Sequence, residues 1–245
     1  MKGTALLLIV GAVLLLGAMV GLGLLDVHLL SHGTVGPVDR SVDQTLSHHR
    51  TGWLNAVTLG ATDSAETYSV AGAALALFVA ARLVFKRWRE AVFVLCALVG
   101  EVTIFVTATL LVHRARPNVV GLDHAPPTSS FPSGHTAVAV ALYGAAAILV
   151  IRYSTRPAWR RVALAIVLPL IVASSRLYRG MHYPTDVLGG ALLGFSWLRI
   201  SARADIRIGG ASGKRRACPG YTTAHHAGCS RPRIQTAALI VNPKK

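Results

Sequence analysis

Residues 4–25 run for 22 positions without a charged side chain, longer than the apolar core of a secretory signal and without an obvious small-residue cleavage site. Such a stretch reads as a retained membrane anchor. Its backbone polar groups meet no water in hydrocarbon, and a helix satisfies them all within one segment. Further apolar stretches lie at 68–85, 91–112, 136–151, 162–175 and 187–200. The last three are short for a bilayer and must borrow flanking residues to cross it, and Pro169 interrupts the fifth. Charged residues make up only 14% of the 245-residue chain, against about 25% in ordinary soluble domains. The expected fold class is all-α: a polytopic membrane helix bundle of about six transmembrane helices over residues 1–200, followed by a basic, flexible cytoplasmic tail over 201–245.

Charge placement tests this count. Of the 25 Lys and Arg residues, 19 fall at the N-terminus, after the second and fourth stretches and from Arg199 onward, and 6 fall in the alternate loops. Cytoplasmic loops collect the basic residues, so both termini are expected in the cytoplasm of a multi-pass protein of the cell membrane. The net charge of +15 then reports orientation, and nucleic acid is not an expected partner. Between the first two spans, Val42, Leu46, Trp53, Leu54 and Val57 recur at roughly helical spacing, which predicts an amphipathic helix at the lipid interface. Cys96, Cys218 and Cys229 form no C-x-x-C pair and no disulfide framework.

The chemistry-bearing residues gather in two of the expected extracytoplasmic loops. Pro132, Ser133, Gly134 and His135 directly precede the fourth span, so a small turn presents amides and a hydroxyl at a helix N-terminus, an arrangement that binds oxyanions. Ser175 and Arg176 are followed by His182 and Asp186. A spacing of four places the imidazole and the carboxylate on one face of a helical turn, where the acid can fix the ring's tautomer and leave its other nitrogen free to attack. Arg116, before Pro117, supplies a planar cation suited to phosphate. Each fragment alone is weak, since Pro132 and Gly134 can simply start a helix. Their co-occurrence is stronger: two spans separate His135 from His182, which returns both to the same side of the membrane.

Arg116–Pro117, the run 132–135 and the stretch 175–186 together resemble the three signature motifs of the type 2 phosphatidic acid phosphatase (PAP2) superfamily, which includes bacterial membrane lipid phosphatases. The resemblance covers roughly residues 109–190. It implies six membrane helices and metal-independent hydrolysis of a phosphomonoester or diphosphate. By the same resemblance, His182 matches the nucleophile that forms a phosphohistidine, Asp186 its orienting partner, and His135 the acid that protonates the leaving oxygen. Arg116, Arg176, Ser133 and Gly134 would hold the phosphoryl oxygens. The family's first motif opens with a lysine where this chain has Thr109, a hydroxyl in place of an ammonium, and Arg114 or Arg179 is expected to compensate in part.

No carboxylate cluster supports a metal-dependent phosphatase, and no metal or cofactor is expected. In the tail, Cys218, His225, His226 and Cys229 have a spacing that fits no common zinc class. Glu101, inside the third span, is costly in hydrocarbon and is expected to face the bundle interior, paired with another helix rather than touching substrate. The expected partners are the bilayer and a lipid phosphate, polyprenyl diphosphate (an undecaprenyl carrier) or phosphatidate-like, acted on at the outer surface. A phosphotransferase with the same site is the nearest alternative. A non-catalytic transporter is less compatible, because its ionisable groups should be spread along the spans.

Overall fold

A computed structural model describes residues 2–124, 127–153 and 158–215, and every regular element among them is helical. Helix α1 (Lys2–Leu25) runs on through a π-helical turn (Asp26–Leu30), followed by α2 (Val35–His48), α3 (Gly52–Asp63), α4 (Thr67–Phe85), α5 (Trp88–Leu111), α6 (Gly134–Tyr153), α7 (Ala158–Tyr178) and α8 (Pro184–Arg215). Residues 2–30, α4, α5 and α6 are long and apolar enough to cross a bilayer. The protein is a polytopic helical membrane protein. The two remaining expected spans, 162–175 and 187–200, fall inside α7 and α8. There the apolar part of α7 is the shorter Ala165–Tyr178, and Asp186 and Arg199 interrupt α8. Both nevertheless pack along α6, and at 1.5 Å per residue they extend roughly 30 and 48 Å, enough to span the hydrocarbon layer.

Helix α6 is the hub, touching α4, α5, α7 and α8. Lipid offers no hydrophobic drive between helices, so association depends on close approach and small residues. Helix α6 supplies Ala137, Ala141 and Ala145, all fully buried. Helix α8 answers with Gly190 and Gly194, four apart on one face. A Cβ on Gly190 would stand 2.3 Å from the carbonyl oxygen of Ser133, and one on Gly194 2.4 Å from that of Ala137. The two backbones therefore meet at the first turn of α6, where the Ser133 amide donates to the Asp186 carbonyl at 2.9 Å. Helix α1 closes another side, with Leu15 and Met19 against Ile104, Ala108, Leu193 and Trp197.

Two expectations are corrected. The single amphipathic helix over 42–57 is two helices broken at 49–51, with Trp53 and Val57 pointing outward. The inward face of α2 carries Gly36, Asp39 and Asp43, because a buried arginine, described below, waits opposite. The tail does not begin at 201 either: α8 continues to Arg215. Buried Asp205 holds it there by accepting from Arg89 at 2.8 and 3.0 Å and from Arg152. The Cys218–Cys229 cluster and the rest of the tail lie outside the described residues.

The backbone contact at Gly194 cannot be relieved by a rotamer change. Gly194→Ala is therefore expected to cost about 1–3 kcal/mol, read as a lower thermal midpoint in detergent. Gly72→Ala, whose added Cβ meets nothing within 4 Å, should leave the midpoint unchanged or raise it. Equal midpoints for the two variants would rule out the close α6–α8 contact.

Candidate active site

A cavity of about 830 Å³ lies among α4, α5, α6 and the loops at one end of the bundle. Arg116, Arg176, His135, His182 and Gly134 line its polar end, while Val70 and Ala74 of α4 and Val99 and Val102 of α5 line the apolar remainder. The two histidines that were far apart in sequence thus face one space. Gly134 is the first residue of α6, and a Cβ there would stand 2.5 Å from the Phe105 ring, so only glycine lets the turn close onto α5. The leading amides of α6 have no acceptor within the helix and carry its positive dipole end.

The two arginines are incompletely satisfied. Arg116 donates from Nη1 to the Met181 carbonyl at 2.9 Å, and Arg176 from Nη1 to Asp123 at 3.1 Å. The Nε of each is buried without a partner among the described residues. Burial pushes Arg116 below the ordinary arginine value, against the pull of Asp186. Buried guanidinium N–H groups without acceptors are costly, and a tetrahedral oxyanion would satisfy both.

His182 is buried, and its Nδ1 lies 2.8 Å from the Ser130 carbonyl oxygen. A carbonyl only accepts, so Nδ1 carries the proton and Nε2 keeps its lone pair. Asp186 does not make this bond: its Oδ2 is 3.8 Å from Nδ1. Instead Asp186 accepts from the Ser130 hydroxyl at 2.7 Å, from the Tyr183 amide at 2.8 Å and from Arg114. Tyr183 precedes the first helical residue, Pro184, so the bond to its amide is the reach-back of a capping box. Asp186 therefore positions the ring through Ser130 and the start of α8. Burial holds His182 below the usual imidazole range, opposed by Asp186 and reinforced by Arg176 and Arg116. Burial raises the Asp186 carboxyl, but His182, Arg114 and Ser130 outweigh it and keep it low.

Other expected residues stand elsewhere. Thr109 donates from Oγ1 to its own helix at Val106, 2.8 Å away, as threonines in helices do. Ser133 is fully buried, its amide committed to Asp186 and its hydroxyl 3.0 Å from Thr136 Oγ1. Arg114 is enclosed by carboxylates: Asp39 at 2.8 Å, Asp26 at 2.8 Å and Asp186, with the Tyr183 ring 4.5 Å from its Cζ. Arg179 is taken up by Asp123 and the Asn55 carbonyl. Neither arginine faces the cavity to stand in for the missing lysine. Three residues went unnoticed in the sequence: Glu66, whose Oε1 lies 3.2 Å from His135 Nε2; Asp123, bridging Arg176 and Arg179; and Ser130. Glu66 precedes a helical run and carried a capping signal, whereas Ser130 acts through a carbonyl that any residue has.

Residues 90–207 match the family model of the PAP2 superfamily. Within that matched segment lie His135, His182, Asp186, Arg116 and Arg176, while Glu66 comes from outside it. The chain is 35% identical to the undecaprenyl-diphosphatase of Sulfolobus acidocaldarius over 47% of its own length and 55% of that protein. It is also 35% identical to phosphatidylglycerophosphatase B of Bacillus subtilis, over 34% of this chain and 42% of that one. The chain thus spans about half the length of the curated relatives it matches. Among solved structures, a transmembrane PAP2-type phosphatidylglycerolphosphate phosphatase from Bacillus subtilis superposes with a TM-score of 0.69 at 24% identity, over 80% of this chain and 96% of that one. Aquifex aeolicus LpxE gives 0.51 at 21% identity, over 66% and 93%. Both likenesses show a shared fold.

Two tests follow from the carboxylates around Arg114. Removing that cation in Arg114→Ala leaves buried acids uncompensated and should cost about 3–5 kcal/mol of stability, seen as loss of the folded peak in size-exclusion chromatography. Asp43 is buried with neither oxygen hydrogen-bonded among the described residues, and burial, then Asp39 and Asp186, push it from 3.8 up to about 7. The folded state thus keeps a proton that the unfolded chain releases, so this group makes stability fall as pH rises from about 3.8 to about 7. Asp43→Asn should unfold at a higher temperature than the parent at pH 8 and show no such gain at pH 4. A gain of the same size at both would refute the assignment.

Proposed function

We propose that this protein is an integral membrane lipid phosphatase that hydrolyses a phosphomonoester or diphosphate through a phosphohistidine on His182. The observation that carries this reading is one cavity that joins His182, His135, Arg116 and Arg176 to an apolar crevice between α4 and α5. A headgroup phosphate fits the first part and a hydrocarbon chain the second. One relative is an undecaprenyl-diphosphatase and another a phosphatidylglycerophosphatase, which makes both lipid classes candidate substrates here.

In the first step the Nε2 lone pair of His182 forms an N–P bond while the P–O bond to the lipid breaks, and His135 gives its proton to the departing oxygen. Arg116, Arg176 and the amides at the start of α6 hold the three remaining oxygens, whose charge the transition state must spread. Water then attacks phosphorus, its proton passes to His135, the N–P electrons return to Nε2, and phosphate leaves. Asp186 keeps Nδ1 facing the Ser130 carbonyl throughout. Thr109 supplies no ammonium, so the phosphate cradle rests on the two arginines and the helix amides. The distribution of Lys and Arg supports a reading in which this end of the bundle lies outside the cytoplasm and both termini inside, in the cell membrane.

The test is phosphate release from a panel of lipid phosphates with EDTA present. The intact protein should remain active. His182→Ala should form no acid-labile phosphoenzyme, and His135→Ala should slow turnover by about 10²–10⁴-fold, most with poor leaving groups. Because burial lowers His182, the neutral nucleophile persists as pH falls through the ordinary imidazole value, so the acid limb of kcat/KM should lie below about 6.5. Asp186→Asn, which removes a group that raises His182, should move that limb lower still. A phosphoenzyme surviving in His182→Ala would overturn the role assignment.

A further inference from the structure

Glu66 lies outside the segment that matches the family model, yet it is in contact with His135. It is the N-cap residue of α4, and its two carboxylate oxygens have different partners. Oε2 accepts from the Thr67 amide at 3.4 Å, and Oε1 lies 3.2 Å from Nε2 of His135. An ionised carboxylate only accepts, so Nε2 carries the hydrogen in this pair.

The turn that carries Glu66 is fixed to the helices of the site. Its amide donates to the Asp63 carbonyl at 3.2 Å, and the Ala65 amide to the Thr62 carbonyl at 2.9 Å. The Thr62 hydroxyl lies 2.7 Å from that of Ser175, one residue before Arg176. Ala65 is buried with Ala139 of α6 and Val172 of α7. The backbone at Glu66 is thus tied to the two helices that supply His135 and Arg176, while its side chain stays half exposed.

Helix α4 lines the apolar crevice with Val70 and Ala74, one and two turns beyond Glu66. A lipid with its phosphorus near His182 and its chain in that crevice has its departing oxygen on the α4 side of the phosphate. The bond to Glu66 turns Nε2 of His135 toward that side. Charge acts in the same sense. Arg116, Asp123 and His124 of the loop before α6, Arg176 of α7 and His182 of the loop before α8 line the same polar end. The cations among them disfavour a further positive charge on His135, and nearby carboxylates favour it. Asp123 is engaged by Arg176 and Arg179, and Glu66 is the acid bonded to His135. Glu101 of α5 faces the bundle interior, fully buried and without a hydrogen-bond partner among the described residues, so its expected pairing with another helix is not made.

We propose that Glu66 is a positioning residue for the leaving step: it points Nε2–H of His135 at the crevice and steadies the charged ring that protonates the lipid oxygen. The inference rests on the reading of the site as a lipid phosphatase with His135 as its acid. Before substrate arrives, Nε2–H is bonded to Oε1 of Glu66. The departing oxygen takes that place as its P–O bond breaks, and the proton passes from Nε2 to it, leaving a neutral ring. The attacking water returns a proton to Nε2, and the bond to Glu66 forms again once phosphate has left.

The experiment measures kcat and KM for wild type and Glu66→Gln on two substrates with the same chain. Dodecyl phosphate leaves as an alkoxide that must be protonated, whereas a dodecyl-nitrophenyl phosphate leaves as a stable phenolate. Glutamine keeps an oxygen for the Thr67 amide and removes the charge. On dodecyl phosphate kcat should fall about tenfold, the worth of one hydrogen bond to a charged group at the lower end of its usual range, and KM should not rise. Activity on the nitrophenyl ester should be nearly unaffected. The basic limb of kcat on dodecyl phosphate should move to lower pH, because an anion that favours the charged ring is gone. In a His135→Ala background, Glu66→Gln should have no further effect, since the residue acts through that ring. Equal losses on the two substrates, an unmoved basic limb, or a loss that persists without His135 overturns the inference and leaves the phosphatase reading in place. If the wild type releases phosphate from neither substrate and forms no phosphohistidine, the phosphatase reading fails and this inference falls with it.

Discussion

Arg114 ties together parts of the chain that otherwise have no reason to meet. Its guanidinium reaches Asp26 at the end of the first membrane helix, Asp39 on α2 and Asp186 at the start of α8, and it also donates to Thr185 at 2.7 Å. A buried cation among several carboxylates is not an efficient way to gain stability, because desolvation offsets most of the attraction. It is an effective way to define a single arrangement, since each displaced partner leaves an uncompensated buried charge. The first turn of α8 is located by this cluster, and the nucleophile candidate His182 lies in the loop that leads into it, four residues ahead of Asp186.

The second constraint is backbone proximity. Gly190 and Gly194 bring α8 against the carbonyls of Ser133 and Ala137, and the Ser133 amide bonds the Asp186 carbonyl. The turn at the start of α6 and the histidine loop are therefore held by main-chain contacts, which do not fluctuate with side-chain rotamers. Such a frame would suit the proposed task of surrounding one phosphorus atom from two sides, because misplacing a reacting group by an ångström is expensive in rate. The packing that makes the bundle compact in lipid and the geometry that serves chemistry are the same contact.

The helical class, the membrane setting and the convergence of His135 with His182, Arg116 and Arg176 were all legible in the sequence. Long uncharged runs admit few structures, and charged groups gathered at one end of the spans stand out against them. Other features were hidden for identifiable reasons. Hydrophobic spacing over 42–57 suggested one apolar face, but the partner that draws Asp39 inward is Arg114, more than 70 positions away. The tautomer of His182 is set by a backbone carbonyl, for which no residue type is diagnostic. The Gly190 and Gly194 pair did carry a signal, small residues four apart within an apolar helix, as did Asp205, a lone acid in a basic stretch whose partners Arg89 and Arg152 hold α8 in helical form past residue 200.

Charge balance within the cavity completes the physical picture. Asp123 lies between Arg176 and Arg179, and Glu66 lies beside His135, so the polar end is not a bare concentration of positive charge. Burial raises the Asp123 carboxyl, but Arg179, then Arg176 and His135, outweigh it and hold it below the usual carboxylate value. An ionised Asp123 keeps Arg176 extended toward the cavity and prevents repulsion between neighbouring guanidinium groups from spreading them apart. It also limits how tightly an anion can be held, which matters for the proposed hydrolysis because the inorganic phosphate it would release is itself an oxyanion. A cradle assembled from cations alone would bind that product about as well as the transition state, and catalysis requires the difference between the two.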